Sequence, residues 1–163
     1  MDLIKEFDRA EKRPATEYSI ADHLAAGTRR PAIMAPAPGR ITWSLRLPRH
    51  GLLRAVVAAT TLTPARVRIG VSDARIYEGL SETIVTESSG WSMLTADLSA
   101  YAGWKFSLFY RPERHAWNVN VSIDAIGGVP ARIALGTPEI VTDRAGAAEY
   151  AKRKLRITRS AAP

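Results

Sequence analysis

The sequence contains no cysteine and no long apolar run. Without cysteine, disulfide bonds, thiolate zinc sites and cysteine nucleophiles are excluded. No apolar run approaches ~18 residues, the length that a transmembrane helix needs. The first stretch, MDLIKEFDRAEKRPATEY, also lacks the apolar centre of a secretory signal. We therefore expect a cytoplasmic protein, either free or peripheral on the cytoplasmic face of a membrane.

Recognisable catalytic and cofactor-binding motifs are missing as well. The sequence has no G-x-S-x-G nucleophile elbow, no P-loop and no dinucleotide-binding fingerprint. His23, His50 and His115 are isolated and lack metal-ligand spacing, and the sparse acidic residues form no calcium loop. These absences predict a protein that is not an enzyme, with no catalytic residue, no cofactor and no metal site.

The positive charge is concentrated towards the C-terminus. The chain carries a formal net charge of +7, yet residues 1–30 have six basic and six acidic side chains, whereas residues 142–163 have six and two. A basic tail is typical of proteins that meet anionic lipid, nucleic acid or an acidic protein face, and equally of solvated, solubilising tails. The basic residues lack the interleaved aromatics of single-strand binders, which disfavours nucleic acid.

The centre of the chain alternates between apolar and polar residues. In ITWSLRL, Ile41, Trp43 and Leu45 share one face, and Thr42 and Ser44 share the other, which is typical of a half-buried strand. ARVRIGVSD, WKFSLFYRP and AWNVNVSIDAI alternate in the same way, and LLRAVVAAT is a mostly apolar run that suits a strand covered on both faces. RIYEGL, ETIVTE, GWSMLTADL and ARIALGTPEIV are further candidate strands. Eight or nine short strands with turn signals every 8–12 residues predict an all-β antiparallel sandwich or barrel.

The two ends differ from this pattern. Leu3, Ile4 and Phe7 lie on one face of a short helix that Pro14 ends, and this helix needs a docking site on its own domain or on a partner. The tail AGAAEYAKRKLRI is compatible with a helix or an edge strand. We therefore expect three parts: a helix and extended arm (1–30), the sandwich (31–141) and a basic tail (142–163).

The segment WSMLTADLSAYAG, residues 91–103, resembles a motif of galactose-binding-like jelly-roll domains. In that family the module closes with Ala-x-Trp-Gly-x-Pro-x-Ile. Residues 134–140, ALGTPEI, are similar, with Leu135 where the family has tryptophan. The resemblance covers roughly residues 30–141 and implies a galactose-binding-like jelly roll. Such domains accompany carbohydrate-active enzymes, sulfatases and bacterial surface proteins, where they bind sugars or join domains.

Several residues of these motifs have a structural interpretation. Asp97 and Ser99 suit a turn, because their side chains accept backbone N–H bonds, and Tyr101 suits packing with its hydroxyl on a backbone group. The tryptophans fall on the apolar phase, which favours the core for most of them. The candidates for sugar contact are Trp104, which follows a turn, and the loop pair Arg75 and Tyr77.

Two functions from different classes fit this sequence. The first is a non-catalytic accessory subunit that docks onto other protein subunits of a larger complex, such as a photosynthetic one, at an anionic membrane surface. The residues predicted for that docking to a partner or lipid are Leu3, Ile4, Phe7, Arg111, Arg114, Lys152, Arg153, Lys154 and Arg156. The alternative, which follows from the family resemblance, is a carbohydrate-binding module.

Overall fold

The structure, a computed structural model, describes residues 1–73, 76–101 and 116–142. These residues form ten strands and three short 3₁₀ turns. The strands are β1 (Glu11–Arg13), β2 (Ser19–Ala25), β3 (Thr28–Ala37), β4 (Gly39–Leu45), β5 (Gly51–Ala59), β6 (Ala65–Ser72), β7 (Tyr77–Val85), β8 (Ser92–Asp97), β9 (Trp117–Ala125) and β10 (Ala131–Thr142). None of the described segments is a helix long and apolar enough to cross a membrane.

The strands divide into two antiparallel five-stranded sheets. The first sheet has the order β1-β4-β9-β6-β7, and the second has the order β2-β3-β10-β5-β8. Strands that are distant in sequence, such as β4 and β9 or β3 and β10, are paired neighbours. This arrangement confirms the predicted all-β jelly-roll sandwich.

The period-2 alternation of the strands builds the core between the two sheets. In β4, Ile41 and Trp43 are buried in this core, while the alternate residues point away from it. In the second sheet, Leu53, Val57 and Ile133 pack into the same cluster. These central strands therefore turn one apolar face inward and leave the other face for solvent or a ligand.

The N-terminal segment is part of the sandwich and forms no α-helix. Phe7–Arg9 is a single 3₁₀ turn, and Leu3 is 0% exposed, with its backbone N–H donating to the Pro138 carbonyl over 2.9 Å. Ile4 and Phe7 are half-buried and pack against the core. A helix this short has little stability without tertiary contacts. The packing of the apolar side chains against the core therefore determines the backbone conformation of this segment. The prediction of Leu3 as a partner or lipid contact is therefore corrected: it has no exposed surface.

Residues 1–30 also supply strands to both sheets. The short β1 pairs with β4 in the first sheet, and β2 pairs with β3 in the second. Because β2 pairs with one side of β3 and β10 with the other, β3 lies inside its sheet. The stretch predicted as two strands around Gly79 is the single strand β7, because a register shift opposite Gly70 absorbs the irregularity. The predicted strand WKFSLFYRP and the tail lie outside the described residues.

The turn after β8 has the structure that its sequence indicates. One carboxylate oxygen of Asp97 accepts the backbone N–H of Ser99 over 2.8 Å, and residues 99–101 form a 3₁₀ turn. The prediction that Asp97 serves turn formation is thus confirmed. The Tyr101 hydroxyl donates to the carboxylate of Glu78. Its ring packs against Trp117 with 5.1 Å between the ring centroids.

Candidate functional site

The outer face of the first sheet is lined by polar side chains from its central strands. The register places Thr42 of β4 opposite Asn120 of β9, and Asn120 opposite Gly70 of β6. We call this surface the polar face; its residues are Arg40, Thr42, Ser44, Arg68, Gly70, Ser72, Tyr77, Asn118, Asn120 and Ser122. They come from four strands, so only the folded sheet brings them together.

Asn120 is the centre of a hydrogen-bond network on the polar face. Its side-chain oxygen accepts from the Thr42 hydroxyl over 2.8 Å. Its side-chain nitrogen donates to the Ser72 hydroxyl oxygen and to the Asn118 carbonyl, each over 3.0 Å. Asn120 is 4% exposed, and both ends of its amide are satisfied, as a buried amide requires. The network holds two hydroxyl groups at set positions before any ligand arrives.

Tyr77 lies across the polar face at Gly70. A Cβ atom on Gly70 would come within 2.6 Å of ring carbon Cε2 of Tyr77, so any side chain there would displace the ring. Tyr77 nevertheless stays 50% exposed. Glycine at this position therefore lets an aromatic ring rest on the sheet beside the Asn120 network, with part of its surface open to a ligand.

Charged groups flank the network. The Arg68 guanidinium pairs with the Asp124 carboxylate over 2.5 Å. Arg40, on the other side of the network, has no ion pair within the part of the chain that the structure describes. Hydroxyl, amide and guanidinium groups around a half-exposed ring can hydrogen-bond a polar ligand and also contact an apolar patch on it. Over residues 1–73, 76–101 and 116–142, no three acidic or histidine side chains are grouped to hold a metal ion.

The sequence identified one residue of this surface. Tyr77 was predicted for sugar contact and lies on the polar face. Its predicted companions Arg75 and Trp104 lie outside the described residues. The same is true of the predicted basic docking residues Arg111, Arg114, Lys152, Arg153, Lys154 and Arg156. The docking role of these residues and the cytoplasmic location stay predictions.

The network around Asn120 was missed, although a signal for it exists. In AWNVNVSIDAI the polar phase carries Asn118, Asn120 and Ser122, which is unusual for a face that only meets solvent, since lysine and glutamate are more common there. That pattern marks a strand face, but it does not show which other strands lie beside it. Thr42 and Ser72 are 78 and 48 residues away along the chain.

The tryptophans occupy different environments. The core prediction is confirmed for Trp43, which is buried between the sheets, and Trp117 packs against the same cluster. Trp91 differs: it is half-buried, with its ring over Gly136 on the outer side of the second sheet. The register explains this placement, because Leu135 faces inward and Gly136 therefore faces outward.

Comparison with known proteins identifies the fold. No family model matches the sequence, and no curated protein matches it either. Among solved structures, the chain is similar to TmCBM61 in complex with β-1,4-galactotriose, with 10% identity and a TM-score of 0.55 over 84% of this chain and 90% of that one. It is similar to the CBM22-1 xylan-binding domain from Paenibacillus barcinonensis Xyn10C, with 14% identity and a TM-score of 0.52 over 80% and 83% of the two chains.

A third solved structure is the N-terminal xylanase 10B of Clostridium thermocellum, with its CBM22-1 and GH10 modules and bound xylohexaose. The identity is 14% and the TM-score 0.50, over 84% of this chain and 26% of that one. Identities this low show the fold, and that fold is the jelly-roll β-sandwich of carbohydrate-binding modules. The resemblance noted in the sequence is thus confirmed.

One functional prediction is wrong. The chain was expected to be an accessory subunit docked on a membrane-bound complex. The structures that share its fold over 80% or more of its length include carbohydrate-binding modules instead. None of these similarities supports protein partners at a membrane surface. They agree better with the alternative prediction, a carbohydrate-binding module.

Proposed function

We propose that the protein is a non-catalytic carbohydrate-binding module and that its polar face binds a glycan. The observation that carries the proposal is the Tyr77 ring, held over Gly70 beside the hydrogen-bond network of Asn120. A sugar ring presents hydroxyl groups at its edge and C–H groups on its faces. The polar face offers a partner for each.

The polar face is suited to binding because its parts are already in position. A tyrosine ring supplies a large rigid contact area at low cost in conformational entropy. The Thr42 and Ser72 hydroxyls are oriented by Asn120, so little further ordering is required when a ligand binds. Arg40 and Arg68 add hydrogen-bond donors at the border of the same surface.

The fold comparison suggests which glycans to test. One structure of this fold was solved with β-1,4-galactotriose, another is a xylan-binding domain, and a third was solved with xylohexaose. Neutral, linear β-linked oligosaccharides are therefore the first probes. They also match the polar face, whose hydrogen-bonding groups include neutral hydroxyls and amides.

The test is isothermal titration calorimetry of the full chain with β-1,4-galactotriose and xylohexaose. Tyr77→Ala removes the exposed ring, and an aromatic contact contributes about 1 kcal/mol beyond its area, so affinity should fall at least about fivefold. Leu62→Ala is the matched control, because Leu62 is 80% exposed and lies in the loop between β5 and β6. Equal affinity of the wild type and Tyr77→Ala, or no binding of either probe, would refute the polar face as their site.

A further inference from the structure

The outer face of the second sheet carries an aromatic and cationic cluster that is separate from the polar face. The indole N–H of Trp91 donates to the Thr28 carbonyl over 2.9 Å, which fixes the orientation of the ring. The edge of the indole meets the ring of His23 at 5.6 Å between centroids and an interplanar angle of 80°. Trp91 is therefore held in place by β2 and β3, two strands far from it in sequence.

Small residues beneath Trp91 leave room for its ring to lie close to the sheet. A Cβ atom on Gly136 would come within 2.8 Å of ring carbon Cζ3 of Trp91, so the ring occupies the space that a side chain would take. Ala32, the partner of Gly136 across the sheet, is completely buried. Met93 lies opposite Val56 on the neighbouring strand and is 75% exposed. The result is an apolar surface with an exposed thioether at one end and a half-buried indole at the other.

Arg30 supplies an unpaired positive charge to this cluster. It lies opposite His23 in the register and therefore on the same outer face as Trp91. Its Nε atom is buried without a hydrogen-bond partner. In the part of the chain that the structure describes, the guanidinium has no carboxylate within ion-pair distance. A half-buried guanidinium without an acceptor favours an oxyanion, and a carboxylate matches its planar fork.

We propose that Trp91, His23 and Arg30 form a second binding site, which takes an acidic sugar of the uronic-acid class. The ligand needs an apolar ring face for Trp91 and Met93 and a carboxylate for Arg30, and a uronic acid residue carries both. A small inorganic anion would satisfy Arg30 and leave the apolar surface exposed. The choice of a sugar rests on the proposed function, whereas the choice of a negative charge rests on Arg30.

The two sites face opposite directions. The polar face is the outer surface of the first sheet, and the Trp91 cluster is on the outer surface of the second. One chain can therefore contact two glycan segments at once, a neutral one and an acidic one. Such two-sided binding raises the overall affinity for a material in which both segments lie within reach.

The test is calorimetric titration of the full chain with tetragalacturonic acid, a uronic acid oligomer, at low ionic strength and at about 0.15 M salt. We expect binding that weakens with salt. Arg30→Gln should reduce the affinity about tenfold, because it removes a charge-assisted hydrogen bond. The matched control is Arg29→Gln, which removes the same charge from the neighbouring residue of β3, where the side chain points to the opposite side of the strand.

Trp91→Ala should lower the affinity for tetragalacturonic acid, and Tyr77→Ala should leave it unchanged. Far-UV circular dichroism of each variant confirms folding, and Arg30→Gln keeps the test decisive should Trp91→Ala unfold. Equal losses in Arg30→Gln and Arg29→Gln would overturn the inference, because they indicate unspecific charge attraction. Binding of β-1,4-galactotriose without binding of tetragalacturonic acid would overturn it as well and leave the proposed function standing. Binding of neither would refute both.

Discussion

Replacing Asn120 by alanine removes three hydrogen bonds from the middle of the first sheet. These are the bonds to the Thr42 hydroxyl, the Ser72 hydroxyl and the Asn118 carbonyl. Each such bond contributes about 1 kcal/mol net to stability. Asn120 is 4% exposed, so water does not readily replace the lost side chain. We therefore expect Asn120→Ala to lower the free energy of unfolding by about 3 kcal/mol.

A second substitution separates the hydrogen bonds from the effect of lost volume. Thr42→Val keeps the shape of the side chain and removes only the bond to Asn120, so it should cost about 1 kcal/mol. Because the two residues are in direct contact, the double variant should be more stable than the sum of the two losses predicts, by about 1 kcal/mol. Urea denaturation followed by circular dichroism measures all three values, provided that the m-value stays constant.

A loss in Asn120→Ala of less than about 1 kcal/mol, the contribution of a single bond, would contradict the three-bond network. Additive losses would contradict it as well, because they mean that Thr42 and Asn120 do not interact. Either outcome would show that the polar face is not organised before a ligand binds. The same variants titrated with β-1,4-galactotriose connect stability to binding, since Asn120→Ala should weaken binding and the Leu62→Ala control should not.

Three further predictions follow from burial and close packing. Gly70→Ala should displace the Tyr77 ring and weaken glycan titrations as Tyr77→Ala does; unchanged affinity would mean that the position of the ring is unimportant. Leu3→Ala should lower the free energy of unfolding by roughly 2–5 kcal/mol in urea, because Leu3 is fully buried, and a loss near zero would contradict its place in the core. Burial raises the pKa of Tyr18 from 10.0 to about 12. The contribution of its neutral phenol to the stability of the folded state is therefore complete below pH 10 and is lost as the pH rises through 12. Alkaline unfolding curves should therefore fall less steeply for Tyr18→Phe than for the wild type; parallel curves would refute this.

Most of the sandwich was predictable from local pattern. The strands β4, β5, β6, β8, β9 and β10 correspond to segments whose apolar residues alternate or form a mostly apolar run. Burial on one face of a pleated strand imposes that period, so it is visible without knowledge of the partner strand. The turn at Asp97 was also predictable from local sequence, because its hydrogen bond joins residues that are only two apart in the chain.

The N-terminal segment shows where local pattern misleads. Leu3, Ile4 and Phe7 have the spacing of a helix face. The segment that carries them consists mostly of turns, and their side chains nevertheless pack in or against the core. The same spacing suits both outcomes, and the core of the sandwich, to which Leu3 connects through Pro138, decides between them. β2 was missed because Ile20 and Leu24 remain largely exposed, so it lacks the buried face that marks the other strands.

By itself the sequence determined the fold class, the alternation that makes two layers, the turn after β8 and the candidacy of Tyr77. Only the tertiary structure decided which polar residues meet. Thr42, Ser72 and Asn120 form one network because β4, β9 and β6 are neighbours in the sheet. Trp91, His23 and Arg30 form one cluster because β3 lies beside Gly136 of β10, and β2 lies beside β3. The alternation of apolar and polar residues requires only that one face of a strand is buried. A binding surface requires a particular strand order and register, which arise from contacts between residues far apart in the chain.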